Sequence, residues 1–469
     1  MPIGDLLPEI ALLLGAVAAM LAATFLPRGR QWLCAPLALV ALVAGGVLCA
    51  TQWYGPARFT FSDTWALDGG SVAARLLIMA TAAGAVLLSP DWFRSDRRHG
   101  EYYAMLLLST LGAMLMAGAG DMLQLVMGVL LSSVTGYVMA AYHRDWALSL
   151  EAGMKYFLIG ALANTLLMVG VALLFGVLGQ TAYVAMATAL GGHPSSGALL
   201  LGLTLVVIGL AFKLGAVPAH AWMPDVAEGA PAPAAAFLTT VPKIGAALGL
   251  ARFLMLFPPE MVAWQPLIAA LAVATMTLGN LAALGQTDVR RLIGWSSVSQ
   301  SGYALMAIAV RGRANEALPA LLFFLAGYAA AQTCAFAVVT HLRGRTELDH
   351  YQGLASARPW TAAALVVSFL SLVGIPPLAG FVGKLTLFVA ALEGGYTWLA
   401  VAAVINTVVS LFYYLKVLSA MYFAPLAAPV AVLGRWSAVA LWLSTLLALG
   451  LGLAAEPLLG ALGSAALLP

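Results

Sequence analysis

The sequence predicts an all-α, polytopic membrane protein with about fourteen transmembrane helices. Of its 469 residues, 62% are hydrophobic and only 9% charged, whereas a soluble domain carries roughly 25% charged residues. Apolar runs long enough to cross roughly 30 Å of hydrocarbon recur along the whole chain. The polar segments between them are too short to fold as soluble domains. The net charge of +3 is spread over loops and gives no basic surface for nucleic acid.

The approximate cores of the spans are residues 5–26, 32–53, 72–90, 101–119, 121–142, 151–178, 197–218, 232–257, 262–283, 290–310, 316–341, 359–391, 395–423 and 435–461. Only Gly118, Gly120 and Asp121 separate the fourth from the fifth. The first is too long, and with Asp5 and Glu9 too acidic at its start, for a cleaved signal peptide, so it counts as a span. Arginine then orients the chain. Loops after odd-numbered spans hold Arg28, Arg30, Arg94, Arg97, Arg98, Arg144, Arg290, Arg291, Arg343, Arg345, Arg358 and Arg435. Loops after even-numbered spans hold Arg58, Arg311 and Arg313, with Arg75 and Arg252 near them. Positive charge resists translocation, so the odd loops are expected in the cytoplasm and both termini outside.

Lysine is distributed differently. All five lysines, Lys155, Lys213, Lys243, Lys384 and Lys416, fall inside predicted spans, while the loop cations are arginine. A buried ammonium is expensive and marks a functional site by default. Lysine also titrates when desolvated, whereas arginine stays charged. Embedded, titratable cations point to proton handling. Snorkelling of the side chain to the interface is the alternative; it suits Lys155 and Lys416, near helix ends, and suits Lys213 and Lys384 poorly.

Two of the lysines accompany breaks. The segment "FKLGAVPAHAWMPDVAEGAPAPAAAFL" follows Lys213 with Pro218, Pro224, Pro231 and Pro233, and "LVGIPPLAGFVGK" places Pro376 and Pro377 ahead of Lys384. Proline removes a backbone donor and breaks the helical ladder. In a bilayer, freed carbonyls survive only where they line a polar cavity or pack in protein. Interrupted helices at corresponding positions of two halves are the mark of inverted-repeat transporters. Helices 4–8 and 9–13 would be two inverted five-helix repeats, with broken helices 7 and 12. Cys34, Cys49 and Cys334 stand alone in apolar segments, without a CxxC pair or a histidine at ligand spacing. No Gly-rich nucleotide loop follows a strand-like run. No redox cofactor, metal or nucleotide is therefore expected in this chain.

The same segments carry a family resemblance. "FKLGAVPAHAWMPDVAEGAPAPAAAFL" resembles the signature of the antiporter-like subunits of respiratory complex I, the NADH-quinone oxidoreductase. "PDVAEGAPAP" is similar to the subunit N branch rather than to subunits L and M. "SLEAGMKYFLIGALAN" (149–164), "DVRRLIGWSSVSQSGY" (288–303), "GIPPLAGFVGKLTLF" and "INTVVSLFYYLKVLSAMYF" (374–423) follow in the family's order. The resemblance covers residues 121 to 423 and implies fourteen helices with two inverted repeats. It divides the chain into N-terminal helices 1–4 (1–120), the rest of the first antiporter-like repeat (121–260), the second repeat (261–425) and a C-terminal helix (426–469). It also implies a multi-pass subunit of the bacterial inner membrane beside K- and M-like neighbours. FMN, iron–sulfur clusters and quinone are expected in partner subunits. The proton relay it implies runs through Lys213, Lys243 and Lys384, and Lys155 matches a further family lysine.

One departure stands out. The family's helix 5 carries a glutamate paired with the helix 7 lysine, and here the segment reads "DMLQLVMGVLLSSVTGY", with Leu130 taken as the glutamate position. No acid lies between Asp121 and Asp145, so the Lys213 ammonium loses a stabilising partner. Either a neighbouring subunit supplies the acid, or the module pumps with altered coupling, or it serves as a structural subunit. Other polar residues are secondary candidates. Glu151 and Lys155, four apart, form either a helix-end pair or part of the relay. His220, after the seventh-span break, and His341, at the end of the eleventh span, are relay candidates. Asp225 and Glu228 read as a subunit contact or helix cap, and Asp288, Arg290 and Arg291 as a solvated loop. Tyr303, Tyr413 and Tyr414 read first as packing. A cation/proton antiporter subunit of the Mrp type, a membrane hydrogenase arm and a non-pumping scaffold are the alternatives to a quinone reductase module.

Overall fold

Proline, glycine and aspartate decide where the helices stop. In the computed structural model, which describes residues 3–96, 98–192, 196–426, 432 and 434–468, the chain is helical almost throughout. Arg97, counted above among the loop arginines, lies outside these residues. The order is α1 (Leu7–Phe25), α2 (Cys34–Ala50), a hairpin of β1 (Arg58–Thr60) and β2 (Trp65–Leu67), α3 (Gly69–Trp92), α4 (Gly100–Ala117), α5 (Met122–Ala140) and α6 (Ala147–Leu178). Then come α7 (Tyr183–Leu190), α8 (Gly197–Leu214), α9 (Trp222–Gly229), α10 (Ala232–Leu238), α11 (Val241–Leu254), α12 (Trp264–Leu284), α13 (Val289–Ala309) and α14 (Ala317–His341). The chain closes with α15 (Leu354–Ala357), α16 (Pro359–Val373), α17 (Ala379–Glu393), α18 (Thr397–Phe423), α19 (Arg435–Leu453) and α20 (Ala455–Gly463). Among the described residues, twelve helical stretches are long and apolar enough to cross a membrane. The places of the other two predicted spans are taken by α13, whose serines lower its hydropathy, and by the α16–α17 pair.

The predicted breaks in the seventh and twelfth spans are present, and there are more interruptions than the prolines announced. The seventh span ends at Leu214, where Gly215 takes a left-handed conformation (φ 67°), and resumes as α9. The twelfth ends at Val373, where Gly374 does the same (φ 97°), and resumes as α17. Only glycine adopts this geometry without steric cost. Val217–Pro218 and Pro376–Pro377 are cis. The eighth span, read as continuous, is also interrupted. It stops at Thr239 and Thr240, whose hydroxyls donate to Ala235 O and Ala236 O, and restarts at Val241 with Pro242 in the first turn. The last span likewise divides into α19 and α20.

The weak boundary between the fourth and fifth spans is a built turn. Asp121 caps α5, accepting from Leu123 N (2.6 Å) and Thr181 Oγ1 (2.7 Å), and its backbone bridges Ala182. Asp288 caps α13 in the same way, accepting from Arg291 N (2.8 Å), with its backbone bridging Glu347. The helices that follow pack equally closely onto their predecessors. A Cβ on Gly112 of α4 would meet Ser132 N, and one on Gly279 of α12 would meet Ser299 N.

Both chain ends lie on one face. Gln52 Nε2 donates to Asp5 O (3.1 Å), and Arg58 pairs with Asp5 (2.8 Å). Arg252 donates to Leu468 O and to Asp68, each at 2.7 Å, in a fully buried ion pair. The opposite face carries the arginine-rich loops, where Arg343 donates to Trp92 O (2.6 Å) and Asp91 accepts from Ser437 N (2.8 Å). The centre is formed by α10, α11, α13 and α14, in which nearly every residue is buried.

Candidate functional site

Each of the three deeply buried lysines stands beside a break. Lys213 is the second residue before Gly215, Lys243 the third residue of α11, and Lys384 the sixth of α17. All are at most 2% exposed. A helix break exposes carbonyls that have lost their intrahelical donor, and an ammonium carries three donors and no acceptor. The three sites use this complementarity differently.

Lys384 turns back onto the end of α16, donating to Leu372 O (2.9 Å) and Val373 O (3.0 Å), with its Nζ 4.3 Å from the centroid of the Tyr303 ring. Lys243 donates to Ser297 O (2.6 Å), Ser297 Oγ (2.9 Å) and Tyr328 OH (3.3 Å), with the Tyr328 ring centroid at 4.7 Å. Lys213 has one long bond, to Ser132 Oγ of α5 at 3.4 Å, and the Tyr156 ring at 5.9 Å. Among the described residues no carboxylate pairs with any of the three.

Helix α13 connects these sites. Ser297 holds Lys243 and meets Tyr328 OH at 2.7 Å, which in turn donates to Thr239 O (2.8 Å) at the α10–α11 break. One turn on, Ser301 donates to Leu214 O (2.5 Å), beside Lys213. Gln300 donates to Leu372 O (3.0 Å), the carbonyl that Lys384 also uses. The path extends further. Tyr303 OH meets Thr407 (2.8 Å), Ser296 is bonded to Tyr414, and Tyr413 OH donates to Asn280 Oδ1 (3.0 Å).

This geometry accompanies a clear likeness to known proteins. The family described as NADH:quinone oxidoreductase/Mrp antiporter, TM, matches residues 119–410. The chain is 44% identical, over 96% of each sequence, to NADH-quinone oxidoreductase subunit N of Mycobacterium sp. (strain JLS). The chain belongs to the NADH-quinone oxidoreductase subunit N family. It is a membrane subunit of respiratory complex I. A chain of respiratory complex I from Thermus thermophilus superposes with a TM-score of 0.83 at 32% identity, covering 98% of this chain and 100% of that one. A chain of the Mrp complex from Dietzia sp. DQ12-45-1b shares the fold, with a TM-score of 0.85 at 21% identity.

Within this subunit N fold, the secondary candidates lie apart from the lysine row. Lys155 is 43% exposed and pairs with Glu151 (2.7 Å) and Asp225 (3.4 Å). Asp225 and Glu228 do not cap the helix that follows; Arg291 binds both, at 2.6 and 2.7 Å. Arg290 is not solvated either. It is 4% exposed and donates to Ala227 O (2.9 Å) and Ala230 O, closing the end of α9. His220 is half-buried near Trp295 (5.8 Å), and His341 is bonded to Ser437 Oγ (2.9 Å), which ties α14 to α19. Lys416 donates to Gln286 O (3.1 Å) just beyond the end of α12.

Leu130, taken from the motif as the glutamate position, does not face Lys213 here. Leu130 is partly exposed, on the side of α5 that carries the exposed Met127 and Val134. Two residues from Ser132, it lies about 200° around the helix. The apolar residue that shares the face of Ser132, three positions earlier, is Val129, which is fully buried. Asp121 is spent on its cap, about 16 Å from Ser132 at roughly 1.5 Å per residue. Sequence reasoning also missed Ser132, Ser297, Gln300, Ser301 and Tyr328. The available signal was the polar run Ser296 to Ser301 in a helix that must cross the membrane.

Proposed function

We propose that this chain relays protons through Lys213, Lys243 and Lys384, driven by quinone reduction elsewhere in complex I. The observation that carries the reading is the convergence of three helix breaks on residues 297–301 of α13. Hydroxyl and amide groups there can accept and release protons between lysines that alternate between ammonium and amine. Lys155, Glu151 and His341 serve entry or anchoring at the arginine-rich face, and His220 does so at the α8–α9 break, rather than in the row itself. The fold reading is fourteen transmembrane helices with two inverted five-helix repeats. It is supported by the Asp121 and Asp288 caps, the Gly112–Ser132 and Gly279–Ser299 contacts, and the two glycine-ended breaks. The first cap sits by the hairpin on the face of the termini and the second on the arginine-rich face, as inversion requires. The first repeat starts with helix 4, at the end of 1–120, and continues through 121–260; the second occupies 261–425, and 426–469 is the C-terminal helix.

The arginine distribution supports cytoplasmic odd loops and periplasmic termini in a bacterial inner membrane. K- and M-like subunits are the expected neighbours, with FMN, iron–sulfur clusters and quinone held elsewhere in the assembly. The lack of a carboxylate beside Lys213 favours a module with altered coupling over one paired in the usual way.

The test uses the assembled complex in proteoliposomes. Lys213→Met and Lys384→Met should abolish proton uptake coupled to quinone reduction while part of the quinone reductase activity persists. Unchanged pumping in both variants removes the relay. Sodium- or potassium-dependent proton flux without quinone reduction would instead favour the Mrp-type reading.

A further inference from the structure

A cleft of about 450 Å³ opens on the outer surface between α3, α14 and α19, away from the lysine row, and is lined almost entirely by alanine and leucine side chains. Along α3 it runs from Ala73 to Leu87, about 21 Å at roughly 1.5 Å per residue. That is longer than one leaflet, half of a hydrocarbon core of roughly 30 Å. A second pocket of about 490 Å³, on the arginine-rich face, is lined by Arg28, Trp32, Asp91, Arg94, His99 and Trp436 among others. The two stand in register. On α3, Pro90 and Asp91 follow Leu87 at three and four positions, and Arg94 lies in the 3-10 turn just beyond the helix. On α19, Trp436 precedes Ala440 by four. On both helices the polar pocket therefore begins one turn beyond the apolar cleft, on the same face.

The charges at the polar end have unequal obligations. Asp91 is engaged by Ser437 N (2.8 Å), and Asp96 faces His143 (3.7 Å). His99 is buried, at 5% exposure. Arg28 and Arg94 are exposed, and neither belongs to an ion pair among the described residues. Two tryptophans at the rim match the preference of that side chain for the membrane interface, and guanidinium groups match phosphate.

We propose that the cleft and the pocket together bind one anionic phospholipid, with its phosphate between Arg28 and Arg94 and one acyl chain along α3. A zwitterionic lipid would fill the cleft but leave the arginines without a net counter-charge.

The test is lipid retention by the full chain in its assembled complex, purified in mild detergent. The complex is offered equal phosphatidylglycerol and phosphatidylcholine, washed, and analysed by mass spectrometry. Wild type should retain one more phosphatidylglycerol per complex than Ala326→Phe, which fills the cleft, with Leu447→Trp as the substitute should that variant fail to assemble. R28Q/R94Q, on the surface, should assemble normally and lower the retained phosphatidylglycerol-to-phosphatidylcholine ratio roughly tenfold. An unchanged ratio in R28Q/R94Q overturns the proposal. So does equal retention in the cleft-filled variant, or displacement of the lipid by millimolar inorganic phosphate alone.

Discussion

The two proline breaks solve one problem with opposite parts. At α8–α9 the freed carbonyls go to neutral donors: Phe212 O accepts from Trp222 Nε1 (3.0 Å) and Leu214 O from Ser301 Oγ (2.5 Å), while Val217 N donates to Thr275 Oγ1 (3.2 Å). Lys213 is left over, pointing across to α5 with one long bond. At α16–α17 the lysine is itself the donor, holding Leu372 O and Val373 O together. In the proposed relay, Lys384 would thus be a structural clamp as well as a charge carrier, whereas Lys213 has no clamping contact. The Lys384 ammonium has two close carbonyl acceptors and the Lys213 ammonium one distant hydroxyl. The difference implies that the two ends of the row are not equivalent steps.

Stability should separate the breaks most sharply. Lys384→Met orphans Val373 O and leaves Leu372 O to Gln300 alone, and is expected to destabilise the chain by about 1–3 kcal/mol, whereas Lys213→Met should change stability by less than about 1 kcal/mol. Thermal unfolding of the purified complex checks both, and equal losses would erase the distinction. Next in size is Trp222→Phe, which removes the indole donor from Phe212 O and leaves it Gly215 N, and should cost about 1 kcal/mol. If Lys213 then turns to that carbonyl, the first break comes to resemble the second and coupled proton uptake falls.

A carboxylate tests the same contrast from the α5 side. Val129→Glu, on the face of Ser132, should form an ion pair with Lys213 and change the pH profile of pumping. Leu130→Glu, on the outward side, should leave that profile as it is. Equal effects from the two would mean that the register of α5 is wrong.

The smallest effect lies outside both breaks and serves as a control. His143, in the loop after α5, accepts from Trp92 Nε1 at Nε2 (3.1 Å), which requires the neutral ring. Burial, reinforced by Arg343 and Arg290, pushes its pKa down to about 4. Between the unfolded value near 6.5 and that folded value, the unfolded chain binds the extra proton. Stability should therefore be full above about pH 6.5 and decline as pH falls toward 4. The unfolding temperature of His143→Phe should show a shallower acid slope, with no change at pH 8 in the difference between the two lysine variants.

Much of this was legible in residues that act locally. Apolar length gave most of the spans, Pro218 and Pro376–Pro377 gave two breaks, depth singled out Lys213 and Lys384, and Lys243 came with the family resemblance. What escaped depended on facing rather than composition. The Thr239–Thr240 interruption has no proline at its centre, and threonine hydroxyls bonding back to the preceding turn are common in intact helices. Asp225, Glu228 and Arg291 looked like loop charges because nothing in the sequence says that α9 folds back onto the start of α13. Leu130 and Val129 differ by one position, which turns a side chain about 100° around the helix. No spacing within α5 alone reveals which of them meets α8.

The polar character of α13 has a consequence for how the protein is made. Its hydropathy falls short of that of the other membrane-length helices, so it partitions into lipid poorly on its own account. Ser296, Ser297, Gln300 and Ser301 bond to neighbouring helices that must already stand beside it. Only residues 285–288 join it to α12, against which Gly302 lets its backbone lie close. Helix α13 is therefore expected to enter the bilayer as the second limb of a hairpin, drawn in by the apolar α12, with the part-exposed Arg291 at its start. A substitution that loosened the α12–α13 contact would show first as a failure of insertion, before any proton had been asked to move.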